Sequence, residues 1–101
     1  MRRLVFVLVV LGLAIGISYA GDDKCKSVED LAEVIMGCRQ SGVAMSSAMK
    51  VADDEPVTRA MVIDAWQRPM YNTEEYKQRS IQRFKDDWYM QCVTGKIIIT
   101  D

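Results

Sequence analysis

The sequence holds no histidine, only two prolines (Pro56 and Pro69) and three cysteines, and no excess charge of either sign, with 13 Lys+Arg against 14 Asp+Glu in 101 residues. Without an imidazole there is no histidine general base, no Ser-His or Cys-His nucleophile pair and no histidine-ligated zinc site. A glycine-rich phosphate loop, a Cys-x-x-Cys pair and a G-x-S-x-G elbow are also missing. The carboxylate pairs Asp22-Asp23, Asp53-Asp54, Glu74-Glu75 and Asp86-Asp87 are sequence neighbours, which point about 100° apart on a helix and do not share a site. Asp53-Asp54-Glu55 lacks the alternating oxygen ligands and the glycine of a calcium loop. The expectation is a non-enzymatic protein with no cofactor and no metal. The even charge balance also argues against a nucleic-acid partner, which calls for a concentrated positive surface.

What is present begins with an export signal. Arg2 and Arg3 precede an uncharged apolar run from Leu4 to Ile17, and Ser18-Tyr19-Ala20 places small residues where a signal peptidase reads. A run of this length spans roughly 21 Å as a helix, short of the roughly 30 Å hydrocarbon layer. Residues 1–20 are therefore expected to be a cleaved signal peptide and residues 21–101 one small domain, periplasmic or secreted. No stable membrane insertion is expected after cleavage. Removing Arg2 and Arg3 leaves 11 basic and 14 acidic side chains, a mildly acidic mature chain.

The remaining pattern is helical. Ser27 followed by Glu29 and Asp30 reads as a helix start, and Val28, Leu31, Ala32, Ile35 and Cys38 form an apolar stripe with Glu29, Asp30, Glu33 and Gln40 on the opposite face. This predicts a helix over about 27–40, ended at Ser41-Gly42. Met45, Ala48, Met49 and Ala52 predict a short helix over 44–52. Pro56 after Asp53-Asp54-Glu55 suits a first helical position, giving a helix over 56–67 that stops near Pro69. Asn72-Thr73-Glu74-Glu75 starts the last helix, over 74–93, with Ile81, Phe84, Trp88 and Cys92 on one face. Arg79, Arg83, Asp86 and Asp87 read as a solvated face, and Asp64 as a half-buried carboxylate paired with a nearby base. The tail over 94–101, with Ile97-Ile98-Ile99, is expected to fold back over the helices. The fold class is all-α, a small four-helix bundle stapled by one disulfide.

Three cysteines permit one bridge and leave one thiol. A helix between Cys25 and Cys38 holds them about 16 Å or more apart, beyond the roughly 7 Å a disulfide tolerates. If the first and last helices run antiparallel, Cys25 meets Cys92; if they run parallel, Cys38 does. Cys38 otherwise packs as a small hydrophobe or stands as a thiol for pairing between chains.

The corner between the third and fourth helices is the candidate binding region. Val57, Met61 and Ala65 form one stripe of the third helix while Val62 and Trp66 point the opposite way, so that helix is either enclosed or meets a partner. Trp66, Arg68, Pro69, Tyr71 and Tyr76 then cluster residue types that dominate protein-protein hot spots. Read structurally, the same aromatics fill the gap where the chain turns. Val62, Trp66, Arg68, Pro69, Tyr71 and Tyr76 are the candidate partner-binding residues.

Arg39-Gln40-Ser41-Gly42-Val43, the run Trp66-Gln67-Arg68-Pro69-Met70-Tyr71-Asn72-Thr73-Glu74-Glu75-Tyr76, and the closing Phe84, Trp88, Tyr89 and Cys92 together resemble a group of small exported helical proteins of bacteria and their phages. The resemblance spans about residues 25–93. In that pattern an aromatic, often tyrosine, stands where Trp66 does, arginine is common at Met70 and alanine at Cys38. It thus implies that Cys25 and Cys92 are the family-type pair and Cys38 the extra thiol. It implies no catalytic residues. The expected function is a periplasmic or secreted interaction protein, monomeric or weakly oligomeric, that binds or inhibits an envelope protein through the proline corner. The alternative is a small disulfide-bonded stress chaperone, for which Met36, Met45, Met49, Met61, Met70 and Met90 would supply adaptable surface.

Overall fold

A computed structural model describes the backbone over residues 16–97 and the side chains over 24–97. Most of the expected signal segment and the last four residues lie outside the described part. Four helices account for the fold: α1 (Gly16–Gln40), α2 (Met45–Ala52), α3 (Pro56–Trp66) and α4 (Glu74–Val93). There is no strand among the described residues.

Each boundary has a local cause. At the end of α1, Gly42 adopts a φ of +87°, and the Val43 and Gly42 amides donate back to the carbonyls of Cys38 and Arg39. This paired cap needs a left-handed residue, which glycine supplies without a side-chain clash. The same cap closes α4, where Gly95 has φ +77° and Lys96 N–H reaches the Gln91 carbonyl at 2.9 Å. Thr73 caps α4 by accepting the Tyr76 amide at 3.3 Å, and Glu74 and Glu75 place negative charge on the first turn. The start of α1 differs from expectation. The helix runs through Ser27 back to Gly16, because the intervening stretch contains no proline to interrupt the backbone ladder.

Glu55 caps α3, with Pro56 at the first helical position. Its carboxylate accepts the Val57 and Thr58 amides at 3.2 and 2.7 Å and the Thr58 hydroxyl. The Thr58 hydroxyl, then the Thr58 amide, hold the Glu55 pKa below its ordinary value of 4.5. A depressed carboxylate pKa contributes stability that is present above the unfolded-state value and is lost as pH falls through the lower folded value. Glu55→Ala is expected to cost about 1 kcal/mol near neutral pH. Urea unfolding at pH 7 and at pH 3 should show the penalty shrinking in acid.

The core lies mainly between α1 and α4, which form the largest interface. They run antiparallel: Cys25 at the lower part of α1 is bridged to Cys92 near the end of α4, Glu33 meets Lys85 at 3.4 Å, and Gln40 faces Ser80 at the other end. Val28, Ala32, Ile35 and Met36 of α1 pack with Phe84 and Trp88 of α4 and with Met61, Val62 and Ala65 of α3. α3 lies on α1, while α2 packs chiefly on α3 and buries only Ala52. Ile97 packs against this core; the rest of the isoleucine run lies outside the described residues. The described residues are thus all-α, with four helices and the Cys25–Cys92 bridge. Cys38 is free and half-buried.

Candidate functional site

The two-sided character of α3 has a packing explanation. At 100° per residue, Val57, Met61, Ala65, Val62 and Trp66 sweep a continuous arc of about 180°, with Val62 only about 60° from Ala65. Met61, Val62 and Ala65 are all essentially inaccessible, at 0%, 1% and 0%. Val62 is therefore a core residue, and its place among the partner-binding candidates is corrected. Trp66 is half-buried against the core, with the Arg39 guanidinium 6.0 Å from its ring centroid.

Past Trp66 the chain turns through Arg68-Pro69-Met70-Tyr71, and this corner is fastened to the end of α1 by two consecutive side chains. Arg39 donates to the Arg68 carbonyl from both Nε and Nη2, at 3.1 and 2.9 Å. Gln40 donates from Nε2 to the Pro69 carbonyl at 2.9 Å and accepts the Tyr71 amide on Oε1 at 2.9 Å. The backbone dictates the orientation of this amide, since a carbonyl can only accept and a peptide N–H can only donate. Nε2 also lies 3.5 Å from Ser80 Oγ and 3.6 Å from Met36 Sδ. Gln40 is only 2% exposed.

Sequence reasoning put Gln40 on the solvent face of the first helix, and the structure corrects this. Gln40 sits about 40° around the helix from Met36, at the edge of the apolar stripe, and it is the corner folding across that edge which buries it. A glutamine at a stripe edge carries no signal of this by itself.

Arg68 is the second fastening. Its guanidinium forms a two-pronged contact with Asp64, Nε to Oδ1 and Nη2 to Oδ2 at 3.1 Å each, and Nη1 reaches Asp87 Oδ2 at 2.9 Å. Asp64 Oδ2 also accepts the indole N–H of Trp88 at 2.9 Å, and the guanidinium lies 4.7 Å from the Phe84 ring centroid. Burial alone would lower the Arg68 pKa, but hydrogen bonds and charge from Asp64 and Asp87 outweigh it and raise the pKa above its ordinary value. Asp64 is thus a structural ion-pair partner, as the sequence suggested, whereas Asp87 is drawn from the face read as purely solvated. Arg68→Lys retains the charge but not the planar fork. It is expected to lower stability by about 1 kcal/mol, visible as an earlier urea midpoint.

With its backbone held from behind, the corner presents an outer surface. Pro69, Met70, Tyr71 and Tyr76 are exposed, and the rings of Tyr71 and Tyr76 stand 6.0 Å apart with a 34° tilt. Pro69, Tyr71 and Tyr76, together with Arg68, Arg79, Ser80 and Arg83, line a groove of about 460 Å³. Arg79 lies 5.5 Å from the Tyr76 ring centroid and pairs with Glu75 at 2.8 Å, both side chains being 67% exposed. Of the six candidate binding residues, Pro69, Tyr71 and Tyr76 meet on this groove, Arg68 contributes to its wall while serving the ion-pair network, Trp66 backs the corner and Val62 does not reach the surface.

No cluster of three or more carboxylate or thiol side chains able to hold a metal occurs among the described residues. No described helix is long and apolar enough to cross a membrane. No protein family, curated protein or solved structure was found to match the chain.

Proposed function

We propose that this is a non-enzymatic interaction protein, exported through the signal at residues 1–20, which engages an envelope protein through the outer surface of the α3–α4 corner and restrains it. The observation that supports this reading most is the combination of exposed Tyr71 and Tyr76 with a backbone anchored by the buried Gln40 amide. Aromatic side chains bury large area with few torsions to freeze, and a surface fixed in advance loses less entropy when it binds. A flexible loop carrying the same side chains would offer weaker binding.

The chaperone reading draws less support from the packing. Of its six methionines, Met36 and Met61 are fully buried and Met49 is half-buried against the core, leaving Met45, Met70 and Met90 as dispersed exposed positions and not an adaptable patch.

The experiment is affinity capture from the native envelope with the wild-type protein and with the double variant Tyr71→Ala, Tyr76→Ala. Both tyrosines are more than a third exposed, so the variant should keep its helicity and melting temperature. Specific capture by the wild type and its loss in the variant support the reading. Equal capture by both proteins, or none by either, overturns it.

A further inference from the structure

The chemistry of the groove goes further than its shape. Its lining contains three arginines, two tyrosines, a proline and a serine, and no carboxylate, although the chain as a whole carries a net charge of −1. The three arginines are not equivalent. Arg68 is committed to Asp64 and Asp87. Arg79 is held only by an exposed pair with Glu75, of the kind that contributes little because water competes for both partners. Arg83 is exposed and forms no ion pair among the described residues, although Asp86 and Asp87 line an adjoining hollow with it. Tyr76, Arg79 and Arg83 follow one another at i, i+3 and i+7 along α4, which places them on one face. An unpaired guanidinium thus stands one turn along from a guanidinium already stacked near a tyrosine ring.

Resting on the interaction reading above, we infer that the groove takes a short acidic segment of the partner protein, in which an aromatic or proline side chain lies beside a carboxylate. The apolar side chain packs between Tyr71, Tyr76 and Pro69, and the carboxylate accepts from Arg83 and from Arg79, which exchanges its solvent-exposed bond to Glu75 for one inside the complex. A planar guanidinium binds a carboxylate through two parallel hydrogen bonds, which fixes the direction of the segment as well as its charge. The volume falls within the range of clefts that enclose a few side chains, about 300–1,000 Å³. A continuous polyphosphate or nucleic-acid strand fits less well. Glu74 and Glu75 at one end of this stretch of α4 and Asp86 and Asp87, which line an adjoining hollow with Arg79 and Arg83, at the other would repel a long polyanion at every phosphate and a single carboxylate far less.

The test uses an array of hexapeptides covering acidic, neutral and basic sequences, probed with the full mature protein and with Arg83→Glu, followed by solution anisotropy on the best binders. Arg83 has no partner to lose, so the variant should fold as the wild type does, which circular dichroism checks. The expected result is that the wild type selects peptides with Asp or Glu next to an aromatic or proline. Arg83→Glu should weaken these by about tenfold or more, as for loss of a charge-assisted contact, and the affinity should fall with added salt. Selection of neutral or basic peptides, no selection at all, or acidic binding that Arg83→Glu leaves unchanged would overturn the inference, as would inorganic polyphosphate binding more tightly than every acidic peptide. Envelope capture that persists in Arg83→Glu but is lost in the double tyrosine variant would remove the acidic segment alone. Capture unaffected by either variant would remove the interaction reading itself.

Discussion

Replacing Cys25 or Cys92 with serine is expected to lower the unfolding free energy by about 4 kcal/mol. The bridge closes a loop with a sequence separation of 67, and in the chain-entropy account a loop of that size restricts the unfolded ensemble by about this amount. Small domains bury a modest share of their unfolded surface and have total stabilities of about 5–15 kcal/mol, so either substitution removes much of the margin. The bridge also sets geometry. It joins the lower part of α1 to the end of α4, and the same antiparallel register carries Glu33 to Lys85 and Gln40 to Ser80. The two single variants should unfold at the same urea concentration as each other and as the reduced wild type. Cys38→Ser should change stability by less than about 1 kcal/mol, because that thiol is half-buried and unbridged. Equal damage from Cys38→Ser would show the wrong pairing.

Gln40→Ala is expected to cost about 3 kcal/mol, more than its size suggests. The substitution strands two backbone groups, the Pro69 carbonyl and the Tyr71 amide, each of which costs about 1–3 kcal/mol if left buried without a partner. It also opens a void beside Met36, which is fully buried. Water entering that void would recover part of the loss, and the corner would then be free to shift away from α1. Gln40→Glu discriminates between charge and shape. It keeps an acceptor for the Tyr71 amide but turns an oxygen toward the Pro69 carbonyl, so it should be at least as damaging near neutral pH. Urea midpoints for both variants provide the check. If Gln40→Ala lies within about 0.5 kcal/mol of wild type, as for an ordinary surface position, the clasp contributes nothing.

The Cys25–Cys92 bridge and Gln40 mark the boundary of what the sequence reveals. The cysteine pairing was accessible because it depends on one coarse property, the antiparallel relation of the first and last helices, once a helix between Cys25 and Cys38 had removed one pair. The helix ends at Gly42, at Pro56 and at Thr73 were accessible because capping is local chemistry. The face of α4 bearing Phe84 and Trp88 was readable from its period. Gln40 was not, since periodicity assigns a polar residue at the edge of a stripe to solvent and only the path of a distant segment decides otherwise. The same limit applied to α3, where a broad apolar arc is compatible with enclosure or with a partner. The structure encloses Val62 and leaves the exposed aromatic character to Tyr71 and Tyr76, beyond the helix. Arg68 shows a further consequence: a residue type favoured at interfaces is here largely occupied inside the molecule, and the available charge lies on Arg79 and Arg83, in what read as a solvated face.

The proposed binding surface requires a corner that is exposed in its side chains yet rigid in its backbone, and hydrogen exchange at the Tyr71 amide tests this most directly. Tyr71 lies outside any helix and its side chain is exposed, so an unanchored loop would exchange this proton quickly. Bonded to the Gln40 amide, it should instead exchange only when the α1–α4 unit opens, with a protection free energy close to that of the slowest core amides and far above those of the neighbouring Asn72 and Thr73. A Tyr71 amide that exchanges as fast as Asn72 and Thr73 in the oxidised wild-type protein would contradict the account.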